Sequence, residues 1–149
     1  MIKLATASLA LIVVLFVYGC TRSRDVDLIN AVHAHDIATV QRLIERGANP
    51  QALAADGWTP LTMAARDGDI QIIALLLRYG AAVDQPEGGG NTPLFWASFY
   101  DKPAAVKQLL SNGANVNKTS KGSETPLHVA LRFKHEEVAE ILRKSGGKE

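Results

Sequence analysis

The sequence predicts an all-α fold, an open solenoid of four stacked helix–turn–helix units, and three observations point to it. Thr59-Pro60-Leu61 recurs at Thr92-Pro93-Leu94 and Thr125-Pro126-Leu127, a step of 33 residues. Ala31, Ala64, Ala97 and Ala130 keep that step, as do Leu43, Leu76, Leu109 and Leu142, and Gly47, Gly80, Gly113 and Gly146. Between the landmarks of one copy, Ile70, Ile73, Leu76 and Leu77 recur at helical spacing and make one apolar face. A single helix pair cannot cover such a face, whereas neighbouring copies can, which is why a fixed period of this size signals a stacked array.

The ends of the helices follow from local chemistry. Thr92-Pro93 suits a helix start, because the threonine hydroxyl accepts from free amides and proline at the first helical position loses no hydrogen bond. Gly80 suits a helix end, where the chain turns left-handed.

The unit resembles the ankyrin repeat, which opens on Thr-Pro-Leu-His, carries a Leu-Leu pair on its second helix and closes on Gly-Ala. The last copy has the whole opening, Thr125-Pro126-Leu127-His128; Thr62 and Phe95 stand at the histidine place of the two before it. The Leu-Leu place holds Leu43-Ile44, Leu76-Leu77, Leu109-Leu110 and Leu142-Arg143, and Gly-Ala stands at 47–48, 80–81 and 113–114 before changing to Gly146-Gly147. The resemblance runs from about residue 25 to 147 and implies helix pairs joined by short hairpin finger loops, with the His128 ring bonded to the neighbouring turn.

In chain order, residues 1–19 read as a signal peptide, with one charge at Lys3 and an apolar run from Leu4 to Tyr18 that is short of the roughly 20 residues a bilayer requires. Val17-Tyr18-Gly19-Cys20 resembles a bacterial lipobox, which implies cleavage before Cys20 and acylation of its thiol. The alternative is an ordinary signal peptide ending near a cysteine. Cys20 is the only cysteine, and an unpaired thiol in an oxidising compartment is a liability that acylation removes. Several acyl chains hold a protein stably at a membrane. Thr21 after the cysteine, in the lipoproteins of enteric-type bacteria, implies the periplasmic face of the outer membrane. Residues 20–24 are then the acylated cysteine and a short tether.

The repeat domain is expected over 25–149, in units of about 25–57, 58–90, 91–123 and 124–149. The first copy has Val26-Asp27-Leu28 at the opening and polar Asn30 where Met63 and Trp96 stand later, as suits an end cap. The second is the most regular. In the third, Pro103 falls at a second-helix start, where it is tolerated, and Phe95 and Trp96 are expected mainly in the core. The fourth closes the array with Glu136, Glu137, Glu140, Arg143 and Lys144. Asn49 to Gly57, Asp84 to Gly90 and Asn117 to Ser123 are turn sequences, and the one over Glu87 to Asn91 is expected to be the most flexible.

Without residues 1–19, which carry Lys3 and no acid, 130 residues remain with 15 basic and 15 acidic side chains. A nucleic-acid binder needs a basic excess, so that class is set aside. No nucleophile elbow, phosphate loop or His-Glu-x-x-His motif is present, and Gly88-Gly89-Gly90 has no following lysine. His33 and His35, two apart on a helix, face different directions and make a poor metal pair. No enzyme activity, small-molecule substrate, cofactor or metal is expected.

What remains is surface. The family resemblance implies partner binding through the finger tips and the outward face of each first helix. Carried over residue by residue it selects Ala55, Asp56, Trp58, Arg66 and Asp67, then Gly88, Gly89, Asn91, Phe99 and Tyr100, then Lys121, Glu124, Arg132 and Phe133, with His33 and Ala34 at most from the first copy. Aromatic and arginine side chains are the usual anchors of protein interfaces. Phe99 and Tyr100 have a second reading, as fillers of a gap between stacked helices. The expectation is a lipid-anchored envelope protein that binds another protein, either as an immunity-type inhibitor capping a secreted toxin or as a scaffold for a periplasmic enzyme such as one of oxidative-stress defence.

Overall fold

A computed structural model describes residues 24–148. They form eight helices and no strand: α1 (24–33), α2 (Ile37–Glu45), α3 (Pro60–Asp67), α4 (Ile70–Arg78), α5 (Pro93–Phe99), α6 (Pro103–Ser111), α7 (Pro126–Arg132) and α8 (Glu136–Lys144). The first helices stand in one row, α3 against α5 and α5 against α7, and the second helices in another, α2, α4, α6 and α8. The apolar run at 4–18 and Cys20 lie outside the described residues.

Each first helix after α1 starts on a threonine whose hydroxyl accepts from the amide three residues on: Thr59 from Thr62, Thr92 from Phe95 and Thr125 from His128, with proline next in every case. The second helices are capped unequally. Asp36 and Asp69 accept from Thr39 and Ile72, whereas Lys102 and His135 at the same place make no side-chain cap. Pro103 removes one orphan amide there, and Glu136 and Glu137 face the positive end of α8.

Both turns of each unit close on main-chain bonds. After α4 the chain passes through Gly80 at φ 88°; Gly80 N–H donates to the Leu77 carbonyl at 3.1 Å and Ala81 N–H to Leu76 at 3.0 Å. That is the Schellman closure, and it explains why the Leu-Leu pair and Gly-Ala travel together: one supplies the carbonyls and the other the amides. The same bonds form at Gly47-Ala48, Gly113-Ala114 and Gly146-Gly147. A second left-handed site, between the two helices of a unit, falls at His35, Gly68, Asp101 and Lys134, after which Asp36, Asp69, Lys102 and His135 donate to the carbonyls of Ala31, Ala64, Ala97 and Ala130.

The core runs the length of the array. Leu28, Leu61, Leu94 and Leu127 are buried at the start of the first helices, and Val40, Ile73, Val106 and Ala139 are buried opposite them. The four alanines at the 31, 64, 97 and 130 places are also buried, small enough to let helices approach closely. In α4 the buried face is Ile72, Ile73, Leu75 and Leu76, while Ile70 is 37% exposed and Leu77 half-buried. The buried face is therefore rotated toward Ile72 from the predicted one, and Ile70, the first helical residue, lies outside it.

The fingers are hairpin turns closed by paired main-chain bonds, Ala54 N–H to Trp58 and Gly57 N–H to Ala54 in the first. The loop over 87–91 differs from the expectation of a loose tip. Glu87 is buried and its carboxylate accepts from the Gly89 amide and from both the amide and the side chain of Asn91, the last at 2.6 Å. Adjacent fingers are tied as well, Gly88 N–H to Gly57 O at 2.9 Å and Lys121 Nζ to Gly88 O at 3.0 Å.

Two outcomes follow. Lys134 holds φ 60° where the second copy has Gly68. Left-handed backbone costs a non-glycine residue about 1–2 kcal/mol, and glycine costs about 0.5–1 in chain entropy. Lys134→Gly therefore raises unfolding free energy by about 0.5–1 kcal/mol in a urea titration. Asp36 has its carboxyl held below the ordinary 3.8, chiefly by the hydrogen bond from Thr39. A depressed folded pKa gives stability that is present above 3.8 and lost as pH falls through the lower folded value. The stability gap between wild type and Asp36→Ala, measured by urea titration across pH, accordingly closes on acidification through that window.

Candidate protein-binding surface

The first helices end, copy by copy, on Arg66-Asp67, Phe99-Tyr100 and Arg132-Phe133, all in one register because the copies share the 33-residue step. Stacking sets these ends side by side next to the fingers. The result is a continuous aromatic row. Trp58 lies 5.0 Å from Trp96, and Trp96 stacks on Tyr100 at 5.8 Å with an interplanar angle of 26°. Phe99 lies 5.0 Å from Tyr100 and 4.7 Å from Phe133, so the row crosses from the second copy to the fourth. Such ring spacings are those of favourable edge and offset contacts.

Arginines close the row at both ends. The Arg66 guanidinium sits 5.0 Å over Trp58 and Arg132 sits 4.9 Å over Phe133. Each is held by a carboxylate: Arg66 by Asp67, through two bonds of 2.8 and 3.1 Å, and Arg132 by Glu124 on the adjoining finger. The bonds that Arg66 donates to the Asp67 carboxylate raise the guanidinium pKa above its ordinary value. Forks fixed in this way have lost much of their rotamer freedom before a partner arrives.

Tyr100 is 46% exposed and Phe133 44%; Trp58, Trp96 and Phe99 are half-buried beneath and between them. Phe99 fills the space among Phe95, Trp96 and Phe133, which matches its gap-filling reading, while Tyr100 stands out of the surface. Trp96 departs from its expected place in the core. Its counterparts Met63 and Val129 are both buried, whereas the bulkier indole is half-buried and packs against Trp58 and Tyr100. Its Nε1 is buried without a hydrogen-bond partner. Phe95 is buried, as expected.

The remaining residues divide. Ala55, Asp56, Gly88 and Gly89 are exposed on finger tips, and Asp56 also accepts from the Trp58 amide. Asn91 and Lys121 are engaged in holding the fingers. His33 and Ala34 are exposed on the first copy. A polar depression of about 390 Å3 beside the row is lined by His35, Arg66, Asp67, Tyr100 and Lys102. His35, which spacing did not select, reaches across copies to Asp69 at 3.3 Å. His128 is exposed, with its ring 4.0 Å from Glu124, and among the described residues it makes no bond to a neighbouring turn of the kind the resemblance implied. Among the described residues no group of three or more His, Cys, Asp or Glu is placed to hold a metal ion, and no helix is long and apolar enough to cross a membrane.

A family model for ankyrin repeats in three copies matches residues 28–120, and the single-repeat model matches 123–148. The chain belongs to the ankyrin-repeat family. No curated protein matches it. Ankyrin repeats act by binding other proteins, and such proteins are typically scaffolds rather than enzymes. In this ankyrin array the aromatic row is the part of the surface with the composition of an interface centre, rings and arginines surrounded by polar finger tips.

The exposure of Tyr100 and Phe133 separates binding from folding. Tyr100→Ala and Phe133→Ala each change unfolding free energy by about 1 kcal/mol or less, whereas Phe95→Ala costs about 3–5 kcal/mol. Thermal unfolding of the three variants checks this.

Proposed function

We propose that this ankyrin chain is a lipid-anchored protein of the bacterial envelope, carried by Cys20 on the periplasmic face of the outer membrane, and that it acts as an immunity-type inhibitor of a toxic effector entering that space. The observation that carries the binding half is the row from Trp58 to Phe133 with an arginine stacked at each end. Support for the anchor is the Val17-Tyr18-Gly19-Cys20 motif after an apolar run.

The mechanism is steric. A surface without chemistry of its own neutralises an enzyme by covering its substrate cleft, and the rigid rings and pre-paired arginines reduce the ordering cost of doing so. Exposed Tyr100 fills a pocket on the effector, Phe133 flanks it, and the finger tips exclude water from the rim.

The test uses a strain that makes the cognate effector in its periplasm, the effector being taken from the adjoining genes. Deleting the ankyrin gene kills the strain, and restoring it rescues growth. If growth is equal with and without the gene, the inhibitor reading is lost; a fall in a periplasmic enzyme's activity with no effect on toxin survival would instead favour the scaffold role. In isothermal titration, truncation of an interface anchor costs about 2 kcal/mol, so Tyr100→Ala weakens the complex about 30-fold.

A further inference from the structure

The open end of the first copy breaks the rule that terminal repeats turn a polar face to water. Asn30 follows it and is exposed. Val26 does not: it stands where the interior copies have Thr59 and Thr92, which are buried, yet it is 52% exposed. Leu53, on the first finger, is 61% exposed. These two are the most exposed large apolar residues among those described. With Ile29, Ala52 and Ala55 they line a groove of about 410 Å3 on the end of the array, whose polar wall is Asp25, Asn49 and Gln51, the Asp25 carboxylate being taken up by the Asn49 amide at 2.7 Å.

The place of this groove along the chain says what covers it. Cys20 precedes Arg24, where α1 begins among the described residues, by four residues. Four residues of extended chain span at most about 14 Å. Val26 lies two helical residues further, about 3 Å. An acyl group at Cys20 thus keeps Val26 within about 17 Å of the anchored end. A second copy is a poorer occupant, because two projecting side chains offer far less than the roughly 800 Å2 per partner of a stable dimer.

We propose that the Val26, Ile29 and Leu53 end of the array lies in the lipid headgroup layer, so that the domain stands on the membrane on its first repeat with its length directed away. This inference rests on acylation of Cys20. Apolar side chains at such a surface insert about 5–10 Å into the headgroup boundary and gain the free energy of leaving water. The two contacts together restrict rotation about the tether, and α8 occupies the far end of the stack.

The full-length protein, processed in a bacterial host, is reconstituted into phosphatidylethanolamine and phosphatidylglycerol vesicles after Leu53→Cys or, separately, Arg143→Cys. The acylated Cys20 thiol is consumed, so an environment-sensitive fluorophore labels only the introduced cysteine. The expected result is a blue shift at position 53 on reconstitution, with severalfold stronger quenching by nitroxide-bearing lipid than at 143 on α8. Equal, water-like emission at both positions overturns the inference. A blue shift at 53 that lipid does not quench and that grows with protein density assigns the face to a second copy, and overturns it as well. Intact mass separates the layers: an acylated chain starting at Cys20 without quenching defeats this orientation alone, whereas a chain lacking the acyl group defeats the anchor and the orientation together.

Discussion

The structure depends on one main-chain device used twice per unit. Each helix ends by passing through a left-handed residue and bonding its next amides back to its own last carbonyls. This happens at 35, 68, 101 and 134, and again at 47, 80, 113 and 146. It fixes the direction in which the chain leaves every helix. With the same closure in every unit, the leucines at the 28, 61, 94 and 127 places are buried alike. The hydrophobic energy of the core is large, but it is indifferent to direction. The turns convert that undirected attraction into a one-dimensional stack.

Landmarks that report on backbone geometry are legible in the amino-acid sequence. Thr-Pro marks an N-cap and first turn, Gly-Ala marks a Schellman closure, and neither depends on what lies beyond the unit. The inter-helix corner was less visible, since only Gly68 among its four residues is a glycine, and His35, Asp101 and Lys134 adopt the same conformation under the pull of the alanine carbonyls. Side-chain size is the other property that register does not convey. Trp96 falls in register with buried Met63 and Val129, and the larger indole is half-buried, set against Trp58 and Tyr100. The Glu87 loop differs for another reason: three glycines suggest freedom, and the carboxylate that ties Gly89 and Asn91 does so only because it is turned inward and buried, which composition does not show.

On the candidate surface the register of the array does the positioning. Arg66, Phe99 and Arg132 are one place in three copies, and Asp67, Tyr100 and Phe133 are the next. A scaffold that repeats its backbone while varying two residues per copy brings a line of rings together without a dedicated loop. Carboxylates at Asp67 and Glu124 hold the arginines over the rings, so part of the ordering cost of binding has been met in folding. The finger ties through Gly57, Gly88 and Lys121 act in the same direction, because a tip bonded to its neighbour has fewer arrangements to lose.

The two tryptophans of the chain both lie in this row, with ring centres 5.0 Å apart, and one of them stacks on Tyr100. Indoles this close share their electronic excitation, and tyrosine at stacking distance passes its own to them. The tryptophan part of the near-ultraviolet spectrum is consequently a reading of one small patch, whereas Tyr79 lies apart from it. Any body settling on that patch alters the colour and brightness of its emitted light, so the protein carries an optical gauge of occupancy that needs no dye.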